Sequence, residues 1–135
     1  MRNYLKLFCL ALPISIALDA SWIGVIASSF YRSTFEDIFV ANPNLFAAAV
    51  FYVLYAAMLC IIVIAPALAE RSLGKAMTFG AAVGFTAYMT YDLTNLATLA
   101  VWPLTGAAAD VMWGTVMTSV TCGLTYIVAT KVFKL

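Results

Sequence analysis

The chain has 135 residues, 65% of them hydrophobic and only 10% charged, with a mean hydropathy of +1.02. A water-soluble domain carries roughly 25% charged residues, so this composition excludes an ordinary soluble protein and makes the lipid bilayer the natural partner. The net charge of +1, with Lys and Arg in small groups and no basic stripe, excludes a nucleic-acid partner.

The length predicts one compact domain, residues 1–135, because four spans of about 20 residues use most of it. The fold class expected is therefore all-α, a polytopic membrane protein. The first apolar stretch runs from about residue 5 to 28 and is broken by Pro13 and Asp19. Arg2 and Lys6 ahead of it could open a signal peptide, with Ser15-Ile16-Ala17 as a cleavage site. The apolar run continues to spanning length, which favours a retained helix. Pro13 is expected to kink it.

The first loop, about residues 29–44, is the one long connection. Ser33 and Glu36 are spaced as a capping box, with Phe35, Ile38 and Phe39 as an apolar stripe behind them. This predicts a short interfacial helix over about residues 34–41 that roofs the bundle, against the alternative of an ordered loop. A second span is expected over 45–68, closed by Glu70 and Arg71, and a third over 76–99 after Lys75. A fourth is expected over 107–128, ahead of Lys131 and Lys134. The short link around Trp102-Pro103-Leu104 predicts that spans three and four are antiparallel neighbours.

Orientation follows from the cations. Four spans put Arg2, Lys6, Arg71, Lys75, Lys131 and Lys134 on one side and only Arg32 on the other. That asymmetry predicts cytoplasmic N- and C-termini.

Within the spans, an ionisable side chain costs roughly 2.5–3.5 kcal/mol on insertion scales and calls for a reason. Asp19 and Asp92 lie about fourteen and sixteen residues into outward-running spans, so both are expected roughly 21–24 Å up a 30 Å core. Asp110 enters from the outer end of the fourth span. Three acids from three helices are thus expected in one outer zone. Trp22 shares a face with Asp19, and Trp113 with Asp110, each three residues on. Tyr88, Tyr91, Asp92 and Asn95 form a stripe on span three, and Tyr52 and Tyr55 another on span two. Indole N–H and phenol O–H groups are donors for a buried carboxylate, and Trp113, deeper than Asp110, is placed to reach toward Asp19. These ten residues are the candidate ligand-binding set.

Simpler readings exist for some of them. Trp102 and Trp22 could be interfacial belt residues, Asp110 a helix N-terminal acid, and Asp19 and Asp92 polar glue between helices. The three cysteines, Cys9, Cys60 and Cys122, are far apart inside apolar segments and read as packing residues. With no histidine and no phosphate-loop, nucleophile-elbow, zinc or dinucleotide motif, no metal and no cofactor is expected, and no catalytic residue is assigned. Gly80 and Gly84 make one small-xxx-small step, suited to close contact within the bundle or in a homodimer.

The chain resembles a bacterial family of predicted membrane proteins, domain of unknown function 2177. The resemblance rests on Asp19-Ala-Ser-Trp22-Ile-Gly24 followed by Phe30-Tyr31, and on Tyr91-Asp92-Leu93-Thr94-Asn95-Leu96-Ala97-Thr98. It also rests on Trp102-Pro103 followed by Asp110-Val-Met-Trp113-Gly114. It covers nearly the whole chain and implies a bacterial inner-membrane protein of four spans, with no activity to carry over. The residues allow three functions. One is binding or transport of a small solute or amphiphile, open to proton coupling through the acids. The others are a membrane-embedded enzyme of lipid or isoprenoid metabolism and a non-catalytic subunit.

Overall fold

The computed structural model describes residues 2–36, 38 and 42–135. Among the described residues all regular structure is helical: α1 (Arg2–Ser21), α2 (Ser28–Thr34), α3 (Leu45–Leu59), α4 (Ala65–Ala69), α5 (Leu73–Thr98) and α6 (Leu104–Lys131). Two five-residue π-helical turns are inserted, Trp22–Ile26 after α1 and Cys60–Ile64 between α3 and α4. Pro66 sits just beyond the second turn. It has no N–H to give, and its ring crowds the carbonyl four residues back, so a widened coil before it relieves the clash.

Among the described residues three stretches are long and apolar enough to cross a membrane: Asn3–Ile26, Leu45–Ala69 and Leu104–Lys131, with mean hydropathies of 1.9, 2.6 and 1.4. α5 matches them in length at 26 residues, but Asp92, Asn95, two tyrosines and five threonines dilute its apolar content. Four of those threonines, Thr78, Thr86, Thr90 and Thr98, bond the carbonyl one turn back at 2.7–2.8 Å. α1 runs α-helical through Pro13.

The first π-turn decides which residues beyond it face the core. Buried positions on α1 step by four, through Leu7, Ala11, Ser15 and Asp19, and the row resumes at Ala27, Tyr31 and Phe35. In an unbroken α-helix, eight residues turn through about 800°, leaving Ala27 about 80° off the face of Asp19. The extra residue of the π-turn takes back about 100°, restoring the row to within about 20°. The Ala27 N–H bonds the Trp22 carbonyl at 2.7 Å and closes that turn.

The helix described in the first loop is therefore Ser28–Thr34, earlier than the 34–41 expected. Ser33 lies inside it, and its hydroxyl donates to the Phe30 carbonyl at 3.0 Å rather than capping a helix start. Phe35 and Glu36 follow in a bend and turn. The rest of the expected helix falls on residues 37 and 39–41, outside the described residues.

α5 and α6 pack along their length, as the short link between them predicts. A Cβ added at Gly84 would collide with the Gly114 carbonyl and Thr118. One at Gly80 would meet Cys122 at 3.0 Å. The Gly80 and Gly84 face is thus taken by α6 inside the bundle. The Ser119 hydroxyl also donates to the Met77 carbonyl at 3.0 Å. α1 lies against α6 and α3, while α5 meets the second span chiefly through Cys60–Ile64 and α4. Toward the acid-bearing end α3 and α5 consequently diverge. The Lys6 ammonium stands 5.7 Å over the Phe133 ring, so both chain ends lie together at the opposite end. Cys60 and Cys122 are buried in the core, Cys9 is exposed, and all three are free.

Candidate functional site

Asp19, only 4% exposed, is held from two other helices. The Tyr52 hydroxyl of α3 donates to its Oδ2 at 2.7 Å, and the Trp113 indole of α6 donates to its Oδ1 at 2.7 Å. The indole bond is at the short end of its range, and the phenol bond has the usual length for its kind. Trp22 lies flat on Trp113, with ring centroids 4.5 Å apart and planes within 4°. The Trp22 indole donates to the Tyr31 hydroxyl at 3.4 Å, and that hydroxyl donates to Asp110 Oδ1 at 2.8 Å. Asp19 and Asp110 are therefore joined through a continuous run of aromatic donors. Burial pushes the Tyr31 hydroxyl well above its ordinary value near 10, and its bond to Asp110 pushes the same way.

Asp92 belongs to a different group. It is fully buried, its Oδ1 accepts from the Trp102 indole at 3.2 Å, and its Oδ2 has no hydrogen-bond partner among the described residues. Among the described residues, no donor is shared between Asp92 and Asp19. By hydrogen bonding the three acids fall into two groups, Asp19 with Asp110 and Asp92 on its own, while Asp92 and Asp110 lie within electrostatic reach of each other. What connects the two groups is aromatic. Tyr31 stacks on Phe35 at 5.9 Å, Phe35 meets Trp102 at 5.2 Å, and Trp102 meets Tyr91 edge-on at 5.7 Å. Phe35 can sit there because Gly106 offers no Cβ; one added would strike its ring.

The remaining candidates fall at the edges. Tyr55 is buried below the acids, sharing a 2.8 Å hydrogen bond with Thr118. Tyr88 lies against the backbone of Gly114, where a Cβ would collide with its ring. Tyr91 is exposed, and Asn95, one turn further along α5, is half-buried. Where α3 and α5 diverge, Phe51, Ala87, Tyr88 and Tyr91 wall a cleft of about 270 Å³ that reaches Asp110. Among the described residues no Lys or Arg lines it.

Two participants escaped the sequence reading. Tyr31 was not a candidate because it was read as lying in the loop beyond the first span; the π-turn carries the helical row on to it. Trp102, read as an interfacial ring, is the donor to Asp92. Its closeness in sequence to Asp92, ten residues across a tight link, was the available signal.

A bundle of long apolar helices with acids tied by indole and phenol donors defines a helical integral membrane protein. Residues 4–127 match the family model described as predicted membrane protein (DUF2177), and the chain belongs to that family. No curated protein matches the chain, and no solved structure does.

Proposed function

We propose that the protein binds, and in one mode transports, a small cationic or hydroxyl-bearing amphiphile at Asp110, entering from the lipid between α3 and α5. The observation that carries this reading is the cleft: a carboxylate at the end of an opening walled by three aromatic rings, with no cation in its lining. Aromatic faces attract ammonium groups, and an acid at membrane depth is the usual seat of proton coupling. The volume, about 270 Å³, is just below that of typical drug-sized sites and suits a headgroup rather than a whole lipid. Asp19 then acts as the fixed end of the chain, orienting Trp113 and, through the stacked Trp22, Tyr31 on Asp110.

The same reading takes α5 as a fourth span. Its threonine hydroxyls are satisfied by its own carbonyls, so their polarity is muted in lipid. Four spans, with six cations at the end holding both termini, support cytoplasmic termini in a bacterial inner membrane. A second reading, a non-catalytic subunit held together by polar staples, draws on Asp19, whose two oxygens are both satisfied within the bundle. The enzyme alternative needs two acids facing one reacting group, and the pairing of Asp19 and Asp92 with separate donors gives it no support.

The experiment is quenching of tryptophan fluorescence by a lipophilic quaternary ammonium probe in reconstituted vesicles, with Asp110→Asn and Asp19→Asn compared. Saturable quenching abolished by Asp110→Asn in a folded protein supports the amphiphile site. Quenching that is unaltered in Asp110→Asn sinks it and leaves the staple reading.

A further inference from the structure

At the opposite end of the bundle a second site is built from different chemistry. A hollow of about 610 Å³ opens between the end of α4 and the end of α6, and Arg71 and Lys134 both line it. These two are the residues other than glycine that hold a left-handed backbone among the described residues, with φ of 52° and 51°. At Arg71 the reason is plain. The Ser72 N–H bonds the Ala67 carbonyl at 3.0 Å and the Arg71 N–H bonds the Leu68 carbonyl at 3.1 Å, a helix stop that normally uses glycine. A bulky cation thus occupies a position the backbone would give to glycine, and strain of this kind marks functional positions more often than chance.

Among the described residues no acidic side chain lines the hollow, and the neighbouring Glu70 is paired with Lys75. Tyr126 and Thr130 add polar wall, and Leu68 and Leu135 form an apolar floor that continues into an adjoining hollow of about 180 Å³. Two unpaired cations at the ends of spanning helices, beside an apolar trough, have the chemistry of an anionic lipid headgroup site. We infer that this hollow holds the phosphate of an anionic phospholipid, with an acyl chain in the adjoining trough.

The test uses the full chain in vesicles of phosphatidylcholine with a minor fraction of phosphatidylglycerol. Native mass spectrometry then counts the lipid retained after detergent extraction. Phosphatidylglycerol is expected to be enriched on the wild type. Arg71→Gln and Lys134→Gln should each weaken its retention by about fivefold, and the pair by roughly twenty-fivefold. Lys131→Gln, an exposed cation outside the hollow, should leave retention unchanged. Arg71→Gly removes the charge while relieving the backbone, so it should lose lipid and yet melt at a higher temperature. The inference is overturned by any of four results: equal loss in Lys131→Gln, full retention in the double variant, retention in Arg71→Gly, or displacement of the lipid by inorganic phosphate at matched concentration.

Discussion

Consider removing the Tyr52 hydroxyl and the Asp19 carboxylate separately and together. Tyr52→Phe deletes the donor to Asp19 Oδ2 and leaves that buried oxygen unpaired. Asp19→Ala deletes the acceptor and strands both the Tyr52 hydroxyl and the Trp113 indole. Interhelical hydrogen bonds in membrane bundles average about 0.6 kcal/mol and reach about 1.7, because the unfolded helices also find partners in lipid. The two Asp19 bonds, each 2.7 Å and drawn from different helices, belong near the top of that range. Tyr52→Phe is therefore expected to cost about 1–2 kcal/mol in the wild type. In Asp19→Ala the same change should cost almost nothing, since it removes a hydroxyl that has already lost its partner. The double-mutant coupling is then about 1–2 kcal/mol. Unfolding in mixed detergent micelles measures it, with the stacked Trp22 and Trp113 as the fluorescent reporter. Additivity within about 0.5 kcal/mol would refute the claim that Asp19 ties three helices together.

Two further outcomes follow from contacts elsewhere. Gly114→Ala drives a methyl into the Tyr88 ring; it should destabilise by about 1–3 kcal/mol as an overpacked site and weaken probe quenching by moving the cleft wall. A loss below about 0.5 kcal/mol in the same micelle assay counts against that packing. The raised Tyr31 hydroxyl predicts alkaline lability. The folded state keeps the proton when the unfolded chain has given it up, so stability is intact below pH of about 10 and falls above it. The fall is at most about 1.4 kcal/mol per pH unit for this group, and Tyr31→Phe should show a shallower decline; identical slopes for the two proteins would contradict it.

Much of this arrangement was legible in the chain. Three-residue spacing placed Trp113 beneath Asp110, and antiparallel running of the spans pointed its indole at Asp19. The same logic set Tyr52 at the right level, because depth in a bilayer is nearly linear in residue number. What was hidden depends on breaks in regularity. A 3.6-residue period cannot reveal a π-turn, so the first span was ended before Tyr31, and Phe35 was read only as part of an apolar stripe on a helix over about residues 34–41. Asp92 was paired with Asp19 by depth alone. Depth says nothing about azimuth, and Trp102, carried back over α5 by a short link, took one of its oxygens instead. α5 itself shows the limit of counting polar residues, since most of its threonine hydroxyls are spent on the helix's own backbone.

The five residues from Trp22 to Ile26 let the first span lose a residue at one place without losing its face. Excising one of them, Gly24 being the residue whose Cβ position touches nothing, would tighten the coil to an ordinary one. Ala27 would then stand seven residues after Asp19, about 700° round, and Tyr31 and Phe35 would keep the face they have. The same deletion in the regular coil between Asp19 and the turn, with no extra residue to give up, would swing them by about 100° and draw Tyr31 away from Asp110.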